Sequence, residues 1–194
     1  MPSLDAWLSE AESLLAATRR AGFGPAMDRA VAAAAQALAA GRPLLACGNG
    51  GSAADAQHIV AELVGRFLRD RRALRAICLS SDAAILTAWS NDQGFNSVFA
   101  RQVEAHGEPG GVLLALSTSG NSPNVVEALG AARARRMTTI GLTGEGGGRM
   151  AQLCDHLFAV PSTSTPAIQQ VHLCLYHCFC AGVEAAIADG TAAA

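Results

Sequence analysis

The stretch Leu44–Leu63, LLACGNGGSAADAQHIVAEL, restricts the possible folds of this chain more than any other. Leu44-Leu45-Ala46-Cys47 is a short apolar run and reads as a buried strand. Gly48-Asn49-Gly50-Gly51-Ser52 is a turn that only glycine-rich sequence can make. A helix is expected from Ala53, with Ser52 as its N-cap. A strand that turns through glycines into a helix leaves backbone N–H groups unpaired at the positive end of the helix dipole, which is an anion site. His58 and Glu62 are four residues apart and share one face of that helix. They offer a metal-ligand or acid/base pair beyond the polar cradle. Gly48, Gly50 and Ala53 also fit a dinucleotide fingerprint. That fingerprint wants an acidic residue ~20 residues on, and the nearest candidate, Asp82, comes too late. No lysine follows the glycines, so the turn is not a nucleotide P-loop either.

Strands and helices then alternate. Strands are expected at Pro43–Cys47, Ala76–Leu79, Gly111–Leu116, Thr138–Leu142 and His156–Val160. Helices are expected at Asp82–Trp89, Asn96–Ala105, Pro123–Arg135 and Thr165–Ala188, with a loop at Ser90–Gly94. The basic stretch Arg66–Arg72 suits the C-terminal end of the helix carrying His58. Repeated βα units imply an α/β fold: a doubly wound, mostly parallel five-stranded sheet flanked by helices, with ligands beyond the carboxyl ends of the strands. Two helices lead into it. Ser3–Arg20 carries an apolar stripe of Leu4, Trp7, Leu8, Ala11, Leu14 and Leu15, Gly22–Pro25 breaks it, and Ala26–Ala40 is rich in alanine. The expected organisation is one domain over residues 1–194, with 1–41 as leading oligomerisation helices and 42–194 as the α/β core.

Charge is scarce. Only 15% of residues are charged against 51% hydrophobic, which points to surface buried between subunits. A net charge of −2 leaves no nucleic-acid footprint. No basic N-terminal region precedes an apolar core, and no stretch reads as long enough to span a membrane. The six cysteines read as reduced thiols of a cytosolic protein. Cys174, Cys178 and Cys180 surround His177, but one helix cannot wrap four ligands tetrahedrally round a metal, so buried packing is expected for them.

Ser117-Thr118-Ser119-Gly120-Asn121-Ser122 follows the third strand and leads into a helix. Its four hydroxyls, Ser117, Thr118, Ser119 and Ser122, exceed what one helix cap needs. Hydroxyls plus a helix N-terminus, without lysine or arginine, suit a phosphate monoester on a small substrate. In the closing helix Gln169 and His177 are eight apart and share a face, which His172 does not.

Taken together, GNGGSAADAQHIVAEL, SNDQGF, STSGNS, LTGEGGGRMA and the pair Gln169/His177 resemble the phosphoheptose isomerases, which are built on the sugar isomerase (SIS) domain. The likeness covers nearly the whole chain in order. It implies an SIS fold and an aldose–ketose isomerase that converts sedoheptulose 7-phosphate to D-glycero-D-manno-heptose 7-phosphate through an enediol. It implies substrate contacts from Asn49, Gly50, Gly51, Ser52, Glu62, Asn91, Asp92, Ser117, Thr118, Ser119, Ser122 and Gln169. It implies zinc, one ion per site, held by His58, Glu62, Gln169 and His177, with Glu62 as base and His177 as acid. It also implies a cytoplasmic homotetramer with sites at subunit boundaries, acting on a phosphosugar and binding neither nucleic acid nor membrane. The chain departs from the family at Ala167-Ile168-Gln169-Gln170, where Arg-Ile-Gln-Glu is common. The rival class is a non-catalytic SIS module that binds phosphosugars or a replication initiator. Relatives of the initiator-binding type lack the glutamate and final histidine that this chain keeps as Glu62 and His177. An aldolase or dehydrogenase would need a Schiff-base lysine or a proper dinucleotide motif.

Overall fold

The structure is a computed structural model that describes residues 3–191; residues 1–2 and 192–194 of the expected single domain lie outside the described residues. Two leading helices, α1 (Leu4–Arg20) and α2 (Gly24–Ala39), precede β1 (Leu44–Cys47) and α3 (Gly51–Val64). Then come β2 (Ala76–Cys78), α4 (Ala83–Gln93), α5 (Val98–His106), β3 (Val112–Ser117), α6 (Pro123–Ala134), β4 (Thr138–Thr143), β5 (His156–Ala159) and α7 (Thr165–Ala188). The five strands form one sheet in the order β2-β1-β3-β4-β5, and every pairing is parallel.

Parallel strands are apolar on both faces because helices cover both. Leu44 and Ala46 of β1, with Val112, Leu114 and Leu116 of β3, face α2, α3 and α7. Leu45, Cys47, Leu113 and Ala115 point the other way, against α5 and α6. The period of two within each run sorts the residues between the two cores. The strand order reverses between β1 and β3. In an open α/β sheet that is where ligands bind, outside the carboxyl ends of the strands. The two glycine- and serine-rich turns follow β1 and β3, so the topology places them side by side at this point.

Several local expectations change. α3 begins at Gly51, and its N-cap is Gly50 rather than Ser52; Ser52 is buried inside the first turn. Gly50 adopts φ +55°, ψ −122°, a conformation open to glycine, which lets the chain enter the helix earlier. α4 continues to Gln93, so Ser90, Asn91 and Asp92 form its last turn rather than a loop. The Asp82 carboxylate caps that helix at Ala84 N–H and Ile85 N–H, and the helix stops only at Gly94. The basic stretch lies beyond the end of α3, but Arg71 reaches back to the carbonyls of Glu62 (2.6 Å) and Gly65 (2.7 Å).

At 24 residues α7 is long and apolar enough to cross a membrane, contrary to the reading that no stretch is. Ile168, Val171, Tyr176, Phe179 and Val183 are buried, as befits a core helix. All six cysteines are free. Cys174 and Cys178 are exposed, not packed in the core, because they lie on the outward face of α7. Cys180 is buried, and desolvation pushes its thiol up to about 12. His172 is also buried; its Nε2–H donates to the Thr143 carbonyl at 3.1 Å, and desolvation pushes its imidazole down to about 4.

Candidate active site

A cavity of about 320 Å³ opens between the turns after β1 and β3. Asn49, Gly50, Gly51, Ser52, Leu116, Ser117, Thr118, Ser122, Thr165 and Gln169 line it. Three helices, α3, α6 and α7, begin at its wall, and none has a side-chain hydrogen bond at its N-cap. The positive ends of three helix dipoles therefore meet at the cavity, although the Ser52, Ala53 and Val125 N–H groups already donate to the Asn49, Gly50 and Ser122 carbonyls. The hydroxyls are close together: Ser117 Oγ lies 2.9 Å from Ser122 Oγ and 3.4 Å from Ser119 Oγ. Thr118 Oγ1 lies 3.3 Å from Thr165 Oγ1. No arginine lines the cavity, and the chain contains no lysine, so the polar groups at its wall are hydroxyls, side-chain amides and helix ends.

The second group lies farther along α3 and α7, which run side by side in the same direction. Gln169, near the start of α7, packs against Gly51, at the start of α3: a Cβ on Gly51 would meet Gln169 Nε2 at 2.5 Å. Two turns later the rings of His58 and His177 lie 5.2 Å apart. One donor atom each from His58, Glu62 and His177 falls within 4.8 Å of the others. His58 Nε2 is 3.0 Å from Glu62 Oε1. His177 is boxed in by Phe67, which stacks on it at 5.2 Å, and by Tyr176, edge-on at 5.0 Å. Its Nε2 is buried and has no hydrogen-bond partner.

The other nitrogen of His58 is held by a relay. Tyr176 Oη lies 3.0 Å from His58 Nδ1 and 3.3 Å from Asp55 Oδ1. With His58 Nδ1–H donating to Tyr176 and Tyr176 donating to Asp55 Oδ1, each bond of the relay has a donor and an acceptor, while Asp55 Oδ2 is buried without a hydrogen-bond partner. In that tautomer His58 Nε2 presents a lone pair toward the Glu62 carboxylate, an arrangement that a cation between them would satisfy. Desolvation raises the Asp55 carboxyl above its ordinary value, while Tyr176 and His58 work in the opposite direction. Two imidazoles and a carboxylate, one imidazole nitrogen buried and unpaired, are a donor set that fits zinc.

Of the expected residues, Asn49, Gly50, Gly51, Ser52, Ser117, Thr118, Ser122 and Gln169 meet at the cavity, and His58, Glu62 and His177 meet beside it. Ser119 contributes through Ser117 and accepts the Asn121 N–H at 3.2 Å. Asn91 and Asp92 are exposed at the end of α4, bonded to each other at 3.0 Å, and do not line the cavity. Sequence reasoning missed Asn124, Thr165, Asp55 and Tyr176. Asn124 and Thr165 stand in the first turns of helices that follow polar turns, a signal available in the sequence. Asp55 and Tyr176 are joined only by the fold, 121 residues apart.

The SIS domain family matches residues 6–144, and the chain belongs to that family. The phosphoheptose isomerase of Rhodospirillum rubrum is 53% identical over 163 residues, covering 84% of this chain and 87% of that protein. Among solved structures, phosphoheptose isomerase GmhA from Neisseria gonorrhoeae superposes with a TM-score of 0.88 at 40% identity, over 94% of this chain and 97% of that one. A phosphoheptose isomerase from Francisella tularensis gives 0.90 at 34% identity, over 95% and 100%. Within the SIS family the chain thus falls among the phosphoheptose isomerases.

Proposed function

We propose that the chain is an aldose–ketose isomerase that converts sedoheptulose 7-phosphate to D-glycero-D-manno-heptose 7-phosphate through an enediol. The observation that carries this reading is the pairing of a hydroxyl-lined cavity at three helix N-termini with the His58–Glu62–His177 group beside it. Likeness to phosphoheptose isomerases over most of the chain supports it.

The reaction moves a proton between C1 and C2, so it needs a base at carbon, an acid at oxygen and stabilisation of the developing oxyanion. Ser117, Thr118, Ser119, Ser122 and the backbone of Gly50 and Gly51 bind and orient the phosphate. Asn49, Ser52 and Gln169 bind sugar hydroxyls from the same cavity wall. Glu62 takes the C–H proton, and His177 gives a proton to the oxygen. His58, Glu62, Gln169 and His177 would hold zinc, which when bound polarises the sugar carbonyl. The relay through Tyr176 and Asp55 orients His58.

Asn91 and Asp92 are read as substrate contacts across a subunit boundary, because they stand away from this cavity. The working form is a cytoplasmic homotetramer. The exposed Leu4, Trp7, Leu8 and Leu15 on α1 support a covered face there. The test of the function is incubation with sedoheptulose 7-phosphate followed by NMR of the sugar. The expected result is an aldoheptose 7-phosphate; unchanged ketose, with zinc supplied, overturns the reading.

A further inference from the structure

Residues 65–75 connect α3 to β2 without a helix or strand, yet part of this segment is tightly held. Glu184 lies on α7, seven residues beyond His177, and its side chain is 1% exposed. One carboxylate oxygen accepts the Phe67 N–H at 2.8 Å. The other accepts the Leu68 N–H at 2.6 Å and the Arg69 N–H at 2.8 Å. Arg71 Nε lies 3.4 Å from the first oxygen, with its side chain 3% exposed. The same guanidinium holds the Glu62 carbonyl, as described above. Burial alone would raise the Glu184 carboxyl, but these N–H groups and Arg71 outweigh it and hold it below its ordinary value. A buried carboxylate is thus spent on three consecutive backbone N–H groups of an otherwise irregular segment.

The segment carries one side chain into the site. Phe67 stacks on His177 with an interplanar angle of 28°. We infer that Glu184 is a positioning residue for the active site: it gathers the backbone of residues 67–69 and so holds the Phe67 ring on the face of His177. Glu184 touches neither the cavity nor the His58–Glu62–His177 group, and it acts through the loop. The functional part of the inference rests on the proposed role of His177; the structural part does not.

The test uses four forms of the full chain: wild type, Glu184→Gln, Phe67→Leu and the double variant. Glutamine fills the same space. If its carbonyl faces Leu68 and Arg69, its NH2 meets the Phe67 N–H donor to donor, so the Phe67 bond is lost. NMR of the histidine-labelled, metal-free protein reads the ring-current shift of His177. Phe67→Leu abolishes it, and Glu184→Gln is expected to reduce it toward the Phe67→Leu value. Zinc affinity is then measured by chelator competition. Each single variant is expected to bind about tenfold more weakly, and the double variant no more weakly than the weaker single. A folded Glu184→Gln protein with the wild-type His177 shift, or losses that multiply in the double variant, overturns the inference. If Glu184→Gln does not fold, Glu184→Asp replaces it, keeping the charge but withdrawing the carboxylate. A wild-type protein that neither binds zinc nor isomerises the sugar defeats the proposed function, while the NMR arm still decides the link from Glu184 to Phe67.

Discussion

The side-chain amides of Asn49 and Asn124 exchange two hydrogen bonds, at 2.9 and 2.8 Å. Each amide gives one N–H and accepts one, so the turn after β1 is locked to the first turn of α6. Asn124 also accepts the Val125 N–H at 3.0 Å. Asn124→Leu keeps the volume and removes all three bonds. KM for the phosphosugar is expected to rise about tenfold with a smaller fall in kcat, measured by steady-state kinetics, because the turn proposed to bind substrate loses its brace.

Ser122 stands at the cavity wall and bonds Ser117. Ser122→Ala should raise KM more than it lowers kcat, since a distal phosphate is held alike in ground and transition states. A large fall in kcat at constant KM would give this serine a chemical role instead.

Glu62→Gln is the decisive change for the base. The amide fills the same space, so circular dichroism and thermal unfolding should be close to wild type. Turnover is expected to fall at least about 100-fold, because an amide cannot accept the C–H proton. Zinc content by elemental analysis should fall as well. Near-full isomerase activity would refute the assignment.

His172 makes stability depend on pH. Its ordinary value is 6.5 and the fold lowers it to about 4. As pH falls below 6.5 the unfolded chain takes up a proton that the folded chain refuses, so stability is lost down to the folded value and is independent of this group above 6.5. The loss at pH 5 is expected to be about 2 kcal/mol, read from urea midpoints. His172→Gln should remove that part of the slope.

The exposed stripe on α1 gives a prediction about assembly. A chain starting at Pro25 lacks Leu4, Trp7, Leu8 and Leu15 and uncovers the faces that α1 protects. Light scattering should show loss of the proposed tetramer or aggregation. A soluble truncated tetramer would rule out α1 as a subunit contact.

The strands and the two polar turns that line the cavity were legible because their signals are local. An apolar run closed by glycines or serines announces both a strand and the turn after it. His58 with Glu62, and Gln169 with His177, were legible because helix periodicity puts each pair on one face. The meeting of His177 with His58 and Glu62 was not, since periodicity does not say which helix lies opposite. Glu184 and Phe67 are 117 residues apart, and nothing near either residue signals the other. Asn91 and Asp92 read as loop residues by polarity, but Gly94 rather than polarity ends that helix.

The parallel course of α3 and α7 works as a ruler. Gly51 and His58 are seven residues apart on one helix, and Gln169 and His177 eight apart on the other. At a fixed rise per residue the first turns of α3 and α7 and the two histidine positions are separated by about 10–12 Å along the helix axes. Helices do not stretch, so that interval is set by counting residues. On the proposed function, a phosphosugar anchored at its phosphate would be measured against it. A short one would leave its carbonyl stranded before the histidines, and a chain of matching length would deliver it. Selection by length would then be written into the spacing of side chains along two helices, with no wall needed behind the substrate to enforce it.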